Sequence, residues 1–372
     1  RWLYDSGLRV PFILYVPEKY QSLTPNLNGS VVDNLVGFVD FAPTVLHLTG
    51  VEVPDQMEGR SFVGVTTAND YIFGYRDRAD DVYDMSRSIY DGRYIFIRHF
   101  MPQNPYIRDA IIFNHDKRSF EELHRLKDQD KLSKESLKMF SRKPVEELYD
   151  LKSDPFELNN LIDKPASKEI ASELRQSLHN HMRDTYDTGL MNEGDMMERS
   201  GNSSAFEMAH NSKLFNREAS LATAELTGKL DSPQQVITAL EDSDAAVRYW
   251  ALVALDAYEG DLTKVKPELI TATDDPSIAN RVLAAEILIK RFSEVQFLDV
   301  YKKCLNTESE PMLLQVAISL RNIGEAAKPL IPMITESVYP KIEGEIWGKY
   351  KSWSYPMFIG MALDQMLTNC QQ

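Results

Sequence analysis

The sequence predicts an α/β segment over residues 1–195 followed by an all-α repeat region over residues 223–372. Three observations carry this. The run Phe12–Val16 is continuously apolar, as in the centre of a parallel sheet. Asp91–Gly92 stands between two runs rich in Ile, Tyr and Phe, the strongest short signal for a hairpin. Beyond residue 240 an Ala- and Leu-rich pattern returns at intervals of about 33 residues.

The first strand, within LRVPFILYVP (8–17), follows a turn in which Asp5 and Ser6 are turn formers and Gly7 permits a close approach. After a Pro-containing loop, Asp40 reads as a helix N-cap and Pro43 fits the first turn. Val45, Leu46 and Leu48 form the apolar face, and Gly50 stops the helix. MEGRSF (57–62) reads as a loop. Residues 1–66 are thus a last α/β unit. An antiparallel subdomain over 67–195 follows, with strands at 70–75 and 88–100. Residues 117–143, with nine Lys or Arg, read as a solvated helix pair. Residues 146–161 read as a strand running into a Pro turn, and Ile170, Leu174, Leu178 and Met182 recur every four residues on an amphipathic helix.

Residues 196–222 are polar and turn-rich and read as a linker. In the region after it, Arg248, Ala251 and Leu255 match Arg281, Ala284 and Leu288 at an offset of 33, and Leu320 continues the series at 32. Each copy is a helix with small residues at close-packing positions, followed by a second helix. The pattern resembles HEAT repeats, whose stacked helix pairs bury faces that no single pair can bury alone. It reads either as a docking surface for a protein partner or as a packing appendage. The aromatic stretch 346–363 caps the last repeat or packs on the first part of the chain.

Composition narrows the function. With 43% hydrophobic residues the 372-residue chain can bury a sizeable core. Its net charge of −15 argues against a nucleic-acid partner, and no apolar run reaches the length of a membrane-spanning helix. Cys304 and Cys370 have no metal-site spacing, and a disulfide between them has no support. His179 and His181 point to different faces of a helix and make a poor ligand pair.

Three segments in order are similar to the C-terminal half of type I sulfatases, of the alkaline-phosphatase-like superfamily. The first holds Tyr4, Asp5, Gly7, Arg9 and Pro11. The second holds Asp40, Pro43, Thr44, Gly50, Gly59, Arg60 and Ser61. The third holds Leu148, Tyr149, Asp150, Asp154, Pro155, Glu157, Asn160 and Leu161. The resemblance covers about 160 residues and ends near residue 200. It implies hydrolysis of sulfate esters or sulfamates on sulfated glycans, a formylglycine nucleophile made from Cys or Ser in a Cys/Ser-x-Pro-x-Arg motif, and a calcium ion. No such motif occurs in these residues. The resemblance therefore implies that nucleophile, calcium ligands and catalytic Lys belong to a half preceding residue 1. The chain alone is then expected to be inactive, and no catalytic or metal-binding residue is assigned within it. A periplasmic or secreted location follows from the resemblance alone. The alternative is a non-catalytic binding protein built from a sulfatase remnant and helical repeats.

Among the remaining residues, GYRDRADDVYDMSR (74–87) reads as a charged loop after a strand. Arg76, Asp77, Arg78, Asp84 and Arg87 there, with His99 nearby, are the candidate substrate contacts. Paired guanidinium forks suit sulfate or carboxylate groups. The competing reading is a solvated ion-pair cluster, with His99 structural. Arg9 reads either as the partner of a sheet-edge acid or as a pocket residue of the intact enzyme.

Overall fold

The computed structural model describes residues 2–24, 26, 29–64, 68–79, 82–108 and 117–370. Its strands are β1 (Ile72–Ala79), β2 (Val82–Tyr90), β3 (Tyr94–His99), β4 (Glu146–Asp150) and β5 (Glu343–Trp347). Helices used below are α1 (Asp5–Leu8), α2 (Phe41–Thr49), α3 (Arg118–Asp128), α4 (Lys134–Lys138), α5 (Lys168–Asp184), α6 (Glu193–Ser200), α7 (Ala205–Ala209) and α8 (Arg217–Ala224). They continue with α9 (Ala245–Ala257), α10 (Ile278–Phe292), α11 (Glu310–Ile323) and α12 (Tyr355–Asn369).

The first four strands form one sheet in the order β1-β2-β3-β4. Asp91 turns the chain between β2 and β3. Its Oδ1 accepts the N–H groups of Arg93 and Tyr94 at 2.8 and 2.6 Å, and Gly92 takes a φ of 94° that side chains resist. β4 returns antiparallel to β3, Tyr94 facing Asp150 and Arg98 facing Glu146.

The chain divides into two compact units. One comprises residues 1–76, 86–98 and 146–185; the other comprises 77–85, 99–145 and 186–372. In the first, Leu3, Ile95, Ile97 and Tyr149 form a buried cluster with Tyr4, Tyr90 and Leu151 against it. Leu174, Leu178 and Met182 are buried along α5, as their four-residue spacing predicts. Helix α2 runs where Pro43 and Gly50 place it, and Gly50 closes it at φ 74°. Asp40 does not cap it in the expected way. It sits in helical conformation and uses its carboxylate on distant backbone instead.

Two further expectations for this unit fail. Residues 9–17 form no strand, and Ile13 is 92% exposed. A central strand needs neighbours for its N–H and C=O groups, and among the described residues no chain pairs with this segment. Phe12 leans instead on the rings of Phe41 and Phe62, with centroids 5.2 and 5.5 Å away. Val45 and Leu48 of α2 are likewise exposed rather than core-facing.

In the second unit, α3 and α4 bury no residue, as their charge predicts. Residues 196–222, expected to be a linker, instead hold α7 and α8. Ser204 and Glu207 form a reciprocal cap on α7, and Met208, Phe215 and Leu221 are buried. Here polar caps and short helices imitate the composition of a loop. Apart from β5, the regular elements that follow are helices: α8 packs on α9, α9 on α10, α10 on α11 and α11 on α12. Ala251, Ala284, Leu255, Leu288 and Leu320 are all fully buried. Arg248 joins successive elements by a two-pronged bond to Asp275, at 2.6 and 2.9 Å. Cys304 and Cys370 are buried free thiols.

Candidate functional site

Residues 74–79 and 82–87, expected as a loop, lie in β1 and β2. Asp84, Arg78 and Arg87 there hold other protein groups. Asp84 and Lys143 form a salt bridge with Nζ 2.7 and 2.8 Å from the two carboxylate oxygens, and their side chains are 1% and 0% exposed. The ammonium lies 5.7 Å from the centre of the Tyr106 ring. That ring stands perpendicular to His99, with its hydroxyl 3.4 Å from Nε2, and His99 is buried. Arg78 grips Glu193 through Nε and Nη2 at 2.5 and 3.1 Å, and Glu193 also accepts from the Tyr355 hydroxyl at 2.7 Å. Burial, with the Glu193 bond added, pushes the Tyr355 phenol up to about 12. Arg78, Tyr83, Asn192, Glu193, Leu314 and Gln315 enclose a cavity of about 10 Å³, room for roughly one water.

In the first unit, Arg87 is buried and donates through Nη1 to the carbonyls of Arg76 and Ser86, at 3.0 and 2.9 Å. The Arg76 guanidinium lies 3.9 Å from the centre of the Trp2 ring. Asp77 lies on β1 in the other unit. Arg9 is exposed and, among the described residues, is paired with Asp5 at 3.9 Å. Asp84, Arg78 and Arg87 thus each hold protein groups. The structure does not present the six candidates as one exposed anion-binding loop.

The first and third motif segments close on each other in the first unit, as architecture. The Tyr4 hydroxyl donates to both oxygens of buried Glu147, at 3.2 and 3.1 Å, and the Tyr149 hydroxyl donates to the same carboxylate. Burial and that carboxylate hold the Tyr149 phenol far above its ordinary value. The Asp5 N–H donates to both oxygens of Glu157, at 3.2 and 3.0 Å, and burial raises the Glu157 carboxyl to about 7. Asn160 accepts from the N–H groups of Leu148 and Ile162 and donates to the Glu146 carbonyl, folding the Asp-Pro turn back onto β4. Arg93 holds the Asp150 carboxyl down at about 2.

Asp40 organises the middle segment. Its carboxylate accepts from the N–H of Gly37 at 2.8 Å, the N–H of Arg60 at 2.9 Å and the Asn69 amide at 2.9 Å. Thr44 donates to the Asp40 carbonyl and accepts from the Phe62 N–H. Gly59 is required because a Cβ there would stand 2.0 Å from the Val39 carbonyl oxygen. Among the described residues no three His, Cys, Asp or Glu side chains converge as a metal site. The carboxylates of these motifs are occupied by N–H and O–H donors, a set that does not fit calcium.

Sequence reading missed Lys143, Tyr106, Glu147 and Glu193. Lys143 is submerged in a basic stretch, and nothing local marks it as a lysine that turns inward.

Comparison with known proteins covers the first two motif segments. The family described as "N-sulphoglucosamine sulphohydrolase, C-terminal" matches residues 1–132. An "Ulvan-active sulfatase" of Formosa agariphila is 35% identical over 207 residues, 55% of this chain and 34% of that protein. A second protein of that name and organism is 28% identical over 188 residues, 48% of this chain and 34% of the relative. An "Arylsulfatase" of Clostridium perfringens is 26% identical over 180 residues, 47% of this chain and 28% of its own. A solved 2-O GAG sulfatase superimposes with a TM-score of 0.29 at 21% identity, covering 43% of this chain and 27% of that one. The chain spans about a third of the length of the curated relatives it matches. Residues 1–132 thus match the model of a sulfatase C-terminal region, and the chain is similar to these curated sulfatases over 180 to 207 residues.

Proposed function

We propose that this chain is the C-terminal portion of a sulfatase that hydrolyses sulfate esters or sulfamates on sulfated glycans. The observation that carries this reading is the joining of two motif segments some 150 residues apart. Tyr4 and the Asp5 N–H close onto Glu147 and Glu157 in the unit that holds most of the matched residues. The 35% identity to an ulvan-active sulfatase supports the substrate class. In this reading formylglycine and calcium come from sequence that these 372 residues do not contain. A sulfate ester spreads negative charge over its oxygens, so the chemistry calls for cationic and metal stabilisation. Asp40, Glu147, Glu157 and Asn160 hold the scaffold on which that half would rest. The exposed apolar run Val10–Tyr15 is where its sheet would pack. Arg76, Asp77, Arg78, Asp84, Arg87 and His99 support the strands, and the reading does not require them to touch substrate.

The remaining assignments follow from this one. Residues 1–195 serve as the sulfatase part and 223–372 as a HEAT-like helical stack. The neighbour-to-neighbour packing of α9, α10, α11 and α12 supports the latter. The protein works outside the cytoplasm, in the periplasm or secreted, where polymeric glycans are met.

The test is sulfate release from ulvan. The full translation product containing this chain should release sulfate, and residues 1–372 alone should not exceed the blank. A full product inactive on ulvan, on heparin and on an aryl sulfate would favour the non-catalytic binding protein instead.

A further inference from the structure

A carboxylate stands inside the helical stack, with apolar side chains on either side of it. Glu286 of α10 lies between Ala285 and Ile287, both fully buried, and its own side chain is 5% exposed. An ionised group in such a place is costly unless it is paired and bonded. Glu286 is the midpoint of a polar relay that links successive helices. Its Oε2 accepts from the Ser319 hydroxyl of α11 at 2.8 Å. That hydroxyl is 2.7 Å from the buried phenol of Tyr301, on the helix Leu298–Cys304. Its Oε1 accepts from Lys290, one turn further along α10, at 3.2 Å. The same ammonium donates to Asp256 of α9 at 3.3 Å, and the other oxygen of Asp256 accepts from Gln103 at 3.1 Å.

The charges in this relay do not balance. Glu286 and Asp256 share the single ammonium of Lys290, which is itself 37% exposed. The other groups that bear on Glu286 add no cation. Burial holds the phenols of Tyr249 on α9 and of Tyr301 above their ordinary value, and it raises the Cys304 thiol behind Tyr301 as well. The helix Lys266–Ala272, also packed on α10, carries Glu268 and Lys266, and Lys266 is taken by Glu294. Burial, opposed by Lys290 and reinforced by Asp256, raises the Glu286 carboxyl above its ordinary value. A proton on Glu286 removes the imbalance and keeps the relay intact. The carboxyl then donates to Ser319, Ser319 donates to Tyr301, and Tyr301 donates to the Val282 carbonyl at 3.4 Å.

We propose that this relay is a proton-operated pin. With a proton on Glu286 it holds α9, α10 and α11 together, and loss of that proton loosens the stack. The device needs nothing from the sulfatase reading. A carboxyl that binds its proton more tightly folded than unfolded stabilises the fold fully below its ordinary value of 4.5. Above that, the opening constant of the stack rises about tenfold per unit of pH until the raised value is passed.

The test is hydrogen exchange of the whole chain, read by mass spectrometry on peptides from α10 and α11 at pH 5 and pH 8. Each variant is compared with wild type at the same pH, so that the intrinsic exchange rate cancels. Glu286→Gln has the shape of the protonated acid and cannot ionise. The wild-type rate divided by the Glu286→Gln rate should rise at least about tenfold from pH 5 to pH 8. Asp256→Asn leaves Glu286 and Lys290 as a balanced pair, and the ratio to it should rise with pH as well. Glu157 and Asp195, two further carboxyls raised by burial, are common to all three chains and cancel from each ratio. A merely structural Glu286 would give the same ratio at both pH values, and that result overturns the proposal. If Glu286→Gln does not fold, a constant ratio for Asp256→Asn overturns it equally. So does a wild type whose protection in these helices, corrected for intrinsic rates, is the same at pH 5 and pH 8.

Discussion

Asp84→Ala gives the sharpest test of what the charged strands do. The substitution removes both bonds to Lys143 and leaves an ammonium whose side chain has no exposed surface. Removing one partner of a buried pair costs about 3–5 kcal/mol, because the other charge stays desolvated. Against a typical total of roughly 5–15 kcal/mol, that is a large share. At about 2–4 °C per kcal/mol for a unit of this size, melting should fall by on the order of 10 °C. Asp84→Leu combined with Lys143→Met should recover most of the loss, since apolar groups can replace such a pair at little cost. Urea unfolding followed by far-UV circular dichroism, with tryptophan emission alongside, reads the loss, since Trp250 of this unit is fully buried. A single variant within about 1 kcal/mol of wild type, at unchanged m, would refute the reasoning. So would a double variant as unstable as the sum of its two singles. A stable Asp84→Ala that binds glycan less well would make Asp84 a substrate contact after all.

Two other outcomes are expected. Glu157, raised to about 7 by burial, holds its proton more tightly folded than unfolded, so its contribution to stability is greatest below about 4.5 and declines as pH rises to about 7. Glu157→Gln should flatten that decline, and melting curves between pH 4 and 8 that keep the wild-type slope would count against it. Ala284→Arg places bulk and an unpaired charge where α10 is fully buried, and should cost several kcal/mol, about 3 or more. An unchanged urea midpoint would show that Ala284 does not face a packed seam.

Local chemistry made some elements legible and hid others. Gly50 and Pro43 bound α2, Asp91–Gly92 makes its turn, and the four-residue spacing from Ile170 to Met182 makes α5, because each signal acts within a few residues. The run Phe12–Val16 misled because an apolar stretch becomes a strand only beside another strand. Residues 74–87 misled in the opposite direction. Their charges look solvated, yet Asp84 meets Lys143 from 59 positions away and Arg87 caps backbone carbonyls. Such pairs leave no trace in local spacing. The motif residues Asp40, Glu157 and Asn160 were visible by resemblance, but their work as backbone acceptors was not.

The Asp40 carboxylate has a consequence for how this protein meets its surroundings. By accepting from Arg60 and Asn69, it closes loops of 20 and 29 residues, spans that small secreted domains often secure with a covalent bridge. Here the fastener is a buried carboxylate, while both cysteines remain free thiols. Residues 37–69 contain no cysteine, so a reductant finds no bridge to cut in these loops.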